Sequence, residues 1–184
     1  IMAGYNVMAE EIVSQLNNLP FPTHVFLQGG VGSFPGAICG YFWEKFPNNN
    51  IKFIVVESEH APCLIRSAQN NQMTSVDIKK ETMMAGLSCG EPSLLGWTIL
   101  SKSVDDFITI SDASIPESMR LLAKNRPSIE AGESSVAGLE GLMQTMNNKK
   151  VAEKMSLDSN SIVLLFGTEG ATDPEIYDEI INTT

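Results

Sequence analysis

Short apolar segments and segments with helix-spaced apolar residues alternate along the chain. The short segments are 23–28, 51–57, 106–111 and 161–167, and each is rich in β-branched or aromatic residues, as strands are. The segment 51–57 (IKFIVVE) is apolar almost throughout, which is typical of a strand buried on both faces of a parallel sheet. Because strands that alternate with helices form such sheets, the pattern predicts an α/β fold with three layers, α/β/α, around a mainly parallel sheet.

Helices are predicted where apolar residues recur at intervals of three and four. They cover the first twenty residues, 33–46, 61–69, 94–104, a segment beginning at Ser114, 129–146 and a closing segment from 173, whereas the polar residues 70–82 are predicted to form a loop. Ser114 and Glu117 have the spacing of a capping box, and Asp173 followed by Pro174 is typical of a helix N-cap and first turn. No repeat or linker interrupts the pattern, so residues 1–184 are predicted to form a single α/β domain.

The composition is that of a globular protein and argues against two classes of partner. Apolar residues make up 43% of the chain and charged residues 18%. The formal net charge is −10 and the Lys and Arg residues are scattered, which argues against nucleic acid because binding its phosphates needs clustered positive charge. No apolar run has the length of a membrane span, so no membrane association is expected.

The cysteines and histidines predict neither a disulfide framework nor a metal site. Cys39, Cys63 and Cys89 are few and odd in number, which predicts a reducing compartment such as the cytoplasm. A Cys63–Cys89 bridge stays open as an alternative. Neither His24 nor His60 has cysteines or carboxylates at the spacing of metal ligands, so no bound metal is expected.

A cluster of glycines separates the first predicted strand from the helix that follows it. In residues 26–36 (FLQGGVGSFPG), Gly29, Gly30 and Gly32 need a structural reason, because glycine loses the most conformational freedom on folding. A bare backbone allows a ligand to approach closely, and the N–H groups at a helix N-terminus favour an anion. Ligands of α/β sheets bind at the carboxyl ends of strands, where this loop falls. We therefore predict a phosphate-binding loop, to which the Ser33 hydroxyl can contribute.

Two other interpretations of this loop stay open on the residues alone. The glycines could serve only a tight turn, or the loop could belong to a dinucleotide-binding site. GVGSFPG resembles a loosened G-x-G-x-x-G motif, and Glu57 ends the next predicted strand, where an acid would bind a ribose. However, the third glycine is one position late and Pro35 occupies the first turn of the helix. A Walker-type loop is excluded because no G-K-[ST] follows.

Motifs spread over nearly the whole chain resemble one enzyme family. They are GYNVMAEEI, PTHVFLQGGVGSFPGAICGYF, VVESEHAPCLIRSA, MAGLSCGEPS, GESSVAGLEGL and LLFGTEGATDPE, in that order. The chain resembles the second half of the diaminopropionate ammonia-lyases, which are pyridoxal-phosphate enzymes of the tryptophan-synthase-β-like (fold type II) superfamily. GLSCGEP and TEGATDPE are the motifs most specific to this enzyme type. The resemblance implies part of the large domain of a fold type II enzyme, with pyridoxal 5′-phosphate as cofactor.

The resemblance also implies which residues contact the cofactor. The loop that surrounds the cofactor phosphate corresponds here to Gly29, Gly30, Val31, Gly32 and Ser33. In many relatives a hydroxyl or thiol contacts the pyridine nitrogen, but the matching position is Gly167, so the neighbouring Thr168 becomes the candidate. Gly86 and Leu87 are expected to line the pocket near the ring, and Glu133 matches an acid near the cofactor.

The reaction that the resemblance implies needs residues that this chain does not carry. That reaction is α,β-elimination of 2,3-diaminopropionate to pyruvate and ammonia, with a lysine that holds the cofactor as a Schiff base. In the family, the lysine and the catalytic base lie in the first half of the enzyme, and no motif here matches them. Because the chain begins at Ile1, within helical sequence, we expect it to be a piece of a longer enzyme whose N-terminal half is missing. The family is typically homodimeric, so a homodimer is also expected.

Three other functions stay open. A serine or threonine dehydratase of the same superfamily would use the same cofactor and a different small amino acid. A Rossmann-type NAD-binding domain would use the glycine loop for a dinucleotide. A non-catalytic binding protein could have kept the fold alone.

Overall fold

The sheet at the centre of the molecule has four parallel strands in the order β3-β2-β1-β4. The computed structural model describes residues 2–16 and 19–183. The strands are β1 (His24–Gln28), β2 (Lys52–Ser58), β3 (Asp106–Ile110) and β4 (Val163–Leu164). In the register, Leu27 lies opposite Val55 and Val56 lies opposite Ile108. The α/β architecture and the parallel sheet predicted from the alternating pattern are thus confirmed.

Helices cover both faces of the sheet, because successive side chains of a strand point to opposite sides. One face carries α1 (Met2–Gln15), α2 (Ser33–Lys45), α3 (Cys63–Asn70) and α4 (Leu94–Ser103), and the other carries α5 (Ile115–Ala123), α6 (Ala137–Met146), α7 (Lys149–Met155) and α8 (Pro174–Asn182). Leu27 and Val55 pack into the first core, whereas Phe26, Ile54 and Val56 pack into the second. None of the helices described over 2–16 and 19–183 is long and apolar enough to cross a membrane.

Two of the predicted elements are shorter than the sequence indicates. The predicted helix 129–146 begins only at Ala137, because the Gly132 N–H donates to the carbonyl of Glu169 at 3.1 Å instead of continuing a helix. The predicted strand 161–167 pairs with β1 only at Val163 and Leu164. Beyond that point the Gln28 side chain, not a strand, binds the carbonyl of Phe166. Both segments therefore serve as loops at the carboxyl edge of the sheet.

The helix-start signals have mixed outcomes. Asp173 caps α8 as predicted, and its Oδ1 accepts from the N–H groups of Glu175 and Ile176, each at 3.2 Å. The helix predicted at Ser114 is confirmed, because Ser114 is the N-cap of α5, but the capping box is wrong, since the Ser114 hydroxyl donates to the Ser111 carbonyl at 2.9 Å. The first helix ends at Gln15, earlier than predicted, and residues 17 and 18 of that prediction lie outside the described residues.

Helices α2 and α4 pack closely through glycines behind the loop after β1. A Cβ on Gly96 would lie 2.6 Å from the Gly32 carbonyl oxygen, and a Cβ on Gly36 would lie 3.2 Å from the Gly96 Cα. Only a residue without a side chain permits the first approach, since real Cβ atoms do not come within 3.0 Å of such atoms. Helix α4 therefore supports the backbone of the glycine loop directly.

Glu57, in β2, joins the sheet to the start of α3. Its side chain is buried, and its carboxylate oxygens accept from the N–H groups of Leu64 at 2.8 Å and Ile65 at 2.7 Å. These donors occupy the first turn of the helix, where the backbone N–H groups favour negative charge. Burial is the larger effect, however, and it raises the pKa of Glu57 from 4.5 to about 7.

We predict that Gly96→Ala lowers the free energy of unfolding by about 1–3 kcal/mol, since the added methyl group forces α4 away from the loop. The matched control is Gly40→Ala, in α2, the helix that packs against α4. A Cβ there would lie 3.8 Å from the Ile99 side chain, an ordinary contact. That control should be neutral or stabilising by up to about 1 kcal/mol, because alanine favours the helix. Urea unfolding measures both variants, and equal effects would contradict the close contact.

We also predict that Glu57 makes the protein less stable as the pH rises. Because the pKa of Glu57 is raised in the folded state, its contribution to the free energy of unfolding is fully present below about pH 4.5 and is lost as the pH passes about 7. The Glu57→Gln variant stays neutral and removes this dependence. The free energy of unfolding of the wild type minus that of Glu57→Gln should fall by at most about 3 kcal/mol between pH 4.5 and pH 8. A difference independent of pH would contradict the raised pKa.

Candidate functional site

A cavity of about 550 Å³ lies at the carboxyl end of β1, bounded by loops from four parts of the chain. Its volume is within the usual range for small-molecule sites, and its position is where α/β sheets bind ligands. The lining residues are Tyr5, Gln28, Gly29, Gly30, Val31, Ser33, Phe34, Gly86, Leu87, Cys89, Ser134, Thr168, Glu169, Gly170 and Thr172. No Lys or Arg is among them, so an anion bound here would depend on neutral donors.

The glycine loop forms one wall of the cavity. Gly30 has φ +56° and Gly32 has φ +89°, a left-handed conformation that favours glycine. Over residues 2–16 and 19–183, the N–H groups of Gly30, Ser33 and Phe34 have no hydrogen-bond acceptor. Together with the start of α2, they form a set of free main-chain donors next to the cavity. Such a set suits the oxygens of a phosphate.

Six of the eight predicted cofactor-binding residues line this cavity, namely Gly29, Gly30, Val31, Ser33, Gly86 and Thr168. Gly32 and Glu133 do not. A Cβ on Gly32 would lie 2.9 Å from the Leu100 side chain and 3.1 Å from that of Leu64, so Gly32 faces the core behind the loop. Glu133 is half-buried, and its neighbour Ser134 is the residue that lines the cavity.

A chain of hydrogen bonds holds the opposite wall together. The Ser134 hydroxyl accepts from the Gly86 N–H at 3.1 Å, and the Glu169 carboxylate accepts from the Ser134 N–H at 3.0 Å. Glu169 also accepts from the Thr172 hydroxyl at 3.4 Å. The loops that carry Gly86, Ser134 and Glu169 are therefore linked to one another, although they are far apart in sequence.

Gln28, the last residue of β1, is a cavity residue that the sequence analysis missed. Its amide Nε2 donates to the carbonyls of Phe166 at 2.7 Å and Ser135 at 3.1 Å, and lies 3.4 Å from Thr168 Oγ1. The signal in the sequence was a single polar residue at the end of an apolar strand, directly before the glycines. The role of such a residue cannot be inferred until the loops that it contacts are known.

The glycine positions also restrict what can occupy the cavity. A Cβ on Gly30 would lie 3.3 Å from the Gly86 carbonyl oxygen, and one on Gly86 would lie 3.0 Å from Ser134 Oγ. Side chains at these positions would therefore fill the space between the walls. The bare walls, the free N–H groups and the Thr168 hydroxyl fit a flat ring that carries a phosphate, as pyridoxal phosphate does.

The three cysteines are free thiols, so the alternative Cys63–Cys89 bridge is not formed. The Cys63 thiol donates to the Gly30 carbonyl at 3.6 Å, and burial raises its pKa to about 12. Cys89 lines the cavity, and burial raises the pKa of its thiol as well. Both are therefore protonated near neutral pH and act as weak donors or packing groups.

The other polar residues considered from the sequence have structural roles. The Glu57 carboxylate is occupied by the first turn of α3, so it does not reach a ribose in the way that the dinucleotide interpretation requires. His24 is buried and its Nε2 lies 3.0 Å from the Met155 carbonyl oxygen. In the described part of the chain, no group of three or more His, Cys, Asp or Glu is arranged to hold a metal ion.

Comparison with known proteins identifies relatives along nearly the whole chain. The diaminopropionate ammonia-lyase of Salmonella typhimurium is 41% identical over 192 residues, and that of Escherichia coli K12 is 37% identical over 189 residues. A probable D-serine dehydratase of Colwellia psychrerythraea is 25% identical over 191 residues. These alignments cover 98%, 98% and 96% of this chain, but only 48%, 47% and 43% of the relatives. The chain thus spans about half the length of the curated relatives it matches.

A solved structure has the same fold as this chain. The crystal structure of the Escherichia coli diaminopropionate ammonia lyase in complex with an aminoacrylate-PLP azomethine reaction intermediate superposes with a TM-score of 0.89 at 36% identity. The match covers 98% of this chain and 47% of that one. The family model described as "Pyridoxal-phosphate dependent enzyme" matches residues 1–167. The chain therefore belongs to the family of pyridoxal-phosphate dependent enzymes.

Proposed function

We propose that this chain forms the phosphate-binding and ring-side half of the active site of a pyridoxal-phosphate-dependent ammonia-lyase that acts on 2,3-diaminopropionate. The observation that carries the proposal is the set of main-chain N–H groups in the glycine loop and the first turn of α2 that have no acceptor among the described residues, beside a cavity in a chain of this family. The named relatives supply the substrate class. The enzyme as a whole would need the half that precedes this segment in those relatives.

The phosphate would lie against Gly29, Gly30, Val31 and Ser33, although the Gly29 N–H is itself donated to the Val56 carbonyl at 2.8 Å. Free N–H groups of Gly30 and Ser33 are supplemented by the Ser33 hydroxyl and by the favourable end of the α2 dipole. Gly32 contributes indirectly, because its left-handed backbone turns the loop and lets the core pack behind it.

The ring would lie between the glycine loop and the wall formed by Gly86, Leu87 and Thr168. Thr168 offers a neutral hydroxyl, which can donate to a ring nitrogen without protonating it. Glu133 does not line the cavity and is given no contact with the cofactor, whereas the hydroxyl of its neighbour Ser134 accepts from the Gly86 N–H. When bound, pyridoxal phosphate supplies an electron-accepting ring that stabilises negative charge on the α-carbon of an amino acid.

The residues of this chain bind and orient, and they move no proton of the substrate in this proposal. The Schiff-base lysine and the catalytic base would come from the preceding half of the enzyme. The walls around the cavity would exclude water from the face of the ring that they cover, and Glu169 would keep the turn of residues 132–135 in place by accepting the Ser134 N–H.

A dehydratase of serine or threonine is the second candidate. It is favoured by the probable D-serine dehydratase relatives and by a solved complex of the Escherichia coli ammonia lyase with D-serine. Both candidates would use the same cofactor cavity. The choice between their substrates would depend on groups near the substrate side chain and not on the groups that hold the cofactor. They differ in whether an amino or a hydroxyl group leaves the β-carbon.

We further propose that the complete protein is a homodimer in the cytoplasm. The free thiols of Cys39, Cys63 and Cys89 support a reducing compartment. The dimer rests on the resemblance to the family and is checked by light scattering of the complete protein.

Substitution of Gly30 should weaken cofactor binding. Gly30→Val places a β-branched residue at φ +56° and fills the space beside the Gly86 carbonyl, whereas Gly30→Ala adds a single methyl group. The dissociation constant for pyridoxal phosphate should rise about tenfold or more for valine, and less for alanine. Equilibrium dialysis measures it, and circular dichroism checks the fold. Gly40→Ala is the control, and unchanged affinity in both Gly30 variants would contradict the loop assignment.

A chimera tests the proposed activity. The first half of the Salmonella typhimurium diaminopropionate ammonia-lyase is joined to this chain, and pyruvate release is measured with 2,3-diaminopropionate, D-serine, L-serine and L-threonine. We expect release from 2,3-diaminopropionate to be the fastest, and the Gly30→Val chimera to lose it. A preference for serine or threonine would support the dehydratase instead. A folded chimera that binds the cofactor but acts on none of the four would contradict both.

A further inference from the structure

Gln28 is a buried amide to which the proposed function assigns no role. Only 3% of its surface is exposed, yet it lies at the carboxyl end of β1 and lines the cavity. Its Nε2 carries two hydrogens, which it donates to the carbonyls of Phe166 at 2.7 Å and Ser135 at 3.1 Å, and it shares one of them with the Thr168 hydroxyl at 3.4 Å. One side chain thus ties the central strand to both segments behind the cavity.

These contacts lie on either side of Gly167. The Phe166 carbonyl, at 2.7 Å, precedes this glycine, and Thr168 Oγ1, at 3.4 Å, follows it. A glycine leaves the backbone free to move, and here the nearest atom to an added Cβ would be Ser135 Oγ at 3.7 Å. Local packing therefore does little to fix the orientation of Thr168. The bridge from Gln28 supplies the restraint that Gly167 lacks.

The amide of Gln28 has a fixed orientation. A flipped amide would direct its oxygen at the carbonyls of Phe166 and Ser135, and two acceptors repel each other. The N–H groups therefore face the loops, and the buried Oε1 has no partner among residues 2–16 and 19–183. Toward Gln28, Thr168 Oγ1 can only accept, through the shared N–H at 3.4 Å. Within residues 2–16 and 19–183, the Thr168 hydroxyl has no acceptor for its own proton. That proton is thus available to the cavity.

We propose that Gln28 is a positioning residue that spans Gly167 and holds the Thr168 hydroxyl as a donor toward a nitrogen of a heteroaromatic ring in the cavity. This inference rests on the proposed function, because it assumes that a pyridine ring of the cofactor class binds here. It goes beyond that function by naming the residue that sets the direction of the donor.

The probe is 4-deoxypyridoxine 5′-phosphate, which has the ring and phosphate of the cofactor but no aldehyde, so it forms no Schiff base with surface lysines. Its binding to the chain is followed by fluorescence. The pKa of its ring nitrogen in the complex is then obtained from the absorbance as a function of pH. A neutral donor stabilises the unprotonated nitrogen and lowers this pKa.

Thr168→Val should raise the pKa of the bound ring nitrogen by roughly half to one unit, as expected from the loss of one neutral hydrogen bond. Gln28→Met, which keeps the volume and removes the amide, should raise it by a similar amount. The double variant should equal Thr168→Val alone, because both changes remove the same interaction. Thr168→Ser keeps the hydroxyl and should match the wild type.

Ser135→Ala is the matched control. Gln28 donates to the backbone carbonyl of Ser135, which this substitution keeps. The buried Ser135 hydroxyl has no partner among the described residues, so its loss should leave the ring-nitrogen pKa unchanged. Gln28→Asn keeps the amide but withdraws it by one methylene, and gives the same test if Gln28→Met does not fold.

Two results would overturn the inference. They are a folded Gln28 variant with the wild-type ring-nitrogen pKa, and additive effects of the Gln28 and Thr168 changes. If the wild type binds no probe, the proposed function fails first and this inference fails with it. If the probe binds with unchanged affinity in Gly30→Val, only the loop assignment fails.

Discussion

Main-chain N–H groups without acceptors at the end of β1 are the constraint on which the rest of the site depends. Unpaired donors are costly when buried, so a fold that keeps several of them together must leave them beside a space for a ligand or water. Glycine makes this arrangement feasible, because Gly30 and Gly32 take backbone conformations that most residues avoid. The close packing of Gly96 against the Gly32 carbonyl then prevents the loop from relaxing into the core.

The remaining walls of the cavity are held by side chains that reach across the sheet edge. Glu169 and Ser134 connect loops that are separated by many residues, and Gln28 connects the central strand to both. The bonds of Gln28 to the carbonyls of Ser135 and Phe166 are buried, where a missing partner costs more than the bond itself contributes, and the bond between Glu169 and Ser134 is partly buried. The site is therefore stiff without a metal or a disulfide among the described residues. Stiff walls suit the proposed role, in which this half of the enzyme binds and orients while the other half carries out the chemistry.

Local signals predicted the elements well where one type of interaction dominates. The strand 51–57 and the helix 33–46 follow from their hydrophobic patterns, and Asp173 caps α8 because an aspartate before a proline favours that geometry. Predictions failed where a tertiary contact competes. Residues 129–136 were predicted as part of the helix 129–146, but the N–H groups of Gly132 and Ser134 donate to Glu169 and these residues form a turn. The same competition shortens β4, since the Phe166 carbonyl binds an amide side chain instead of a strand.

The sequence by itself determined the alternation of strands and helices, the family and the position of the glycine loop, because these depend on residue type and short-range spacing. It also placed Gly86 and Thr168 at the cavity through their motifs. Only the tertiary structure decided that Gly32 faces the core, that Ser134 rather than Glu133 lines the cavity, and that Gln28 reaches Thr168. These facts depend on which loops meet at the edge of the sheet, and neighbouring residues in the sequence do not carry that information.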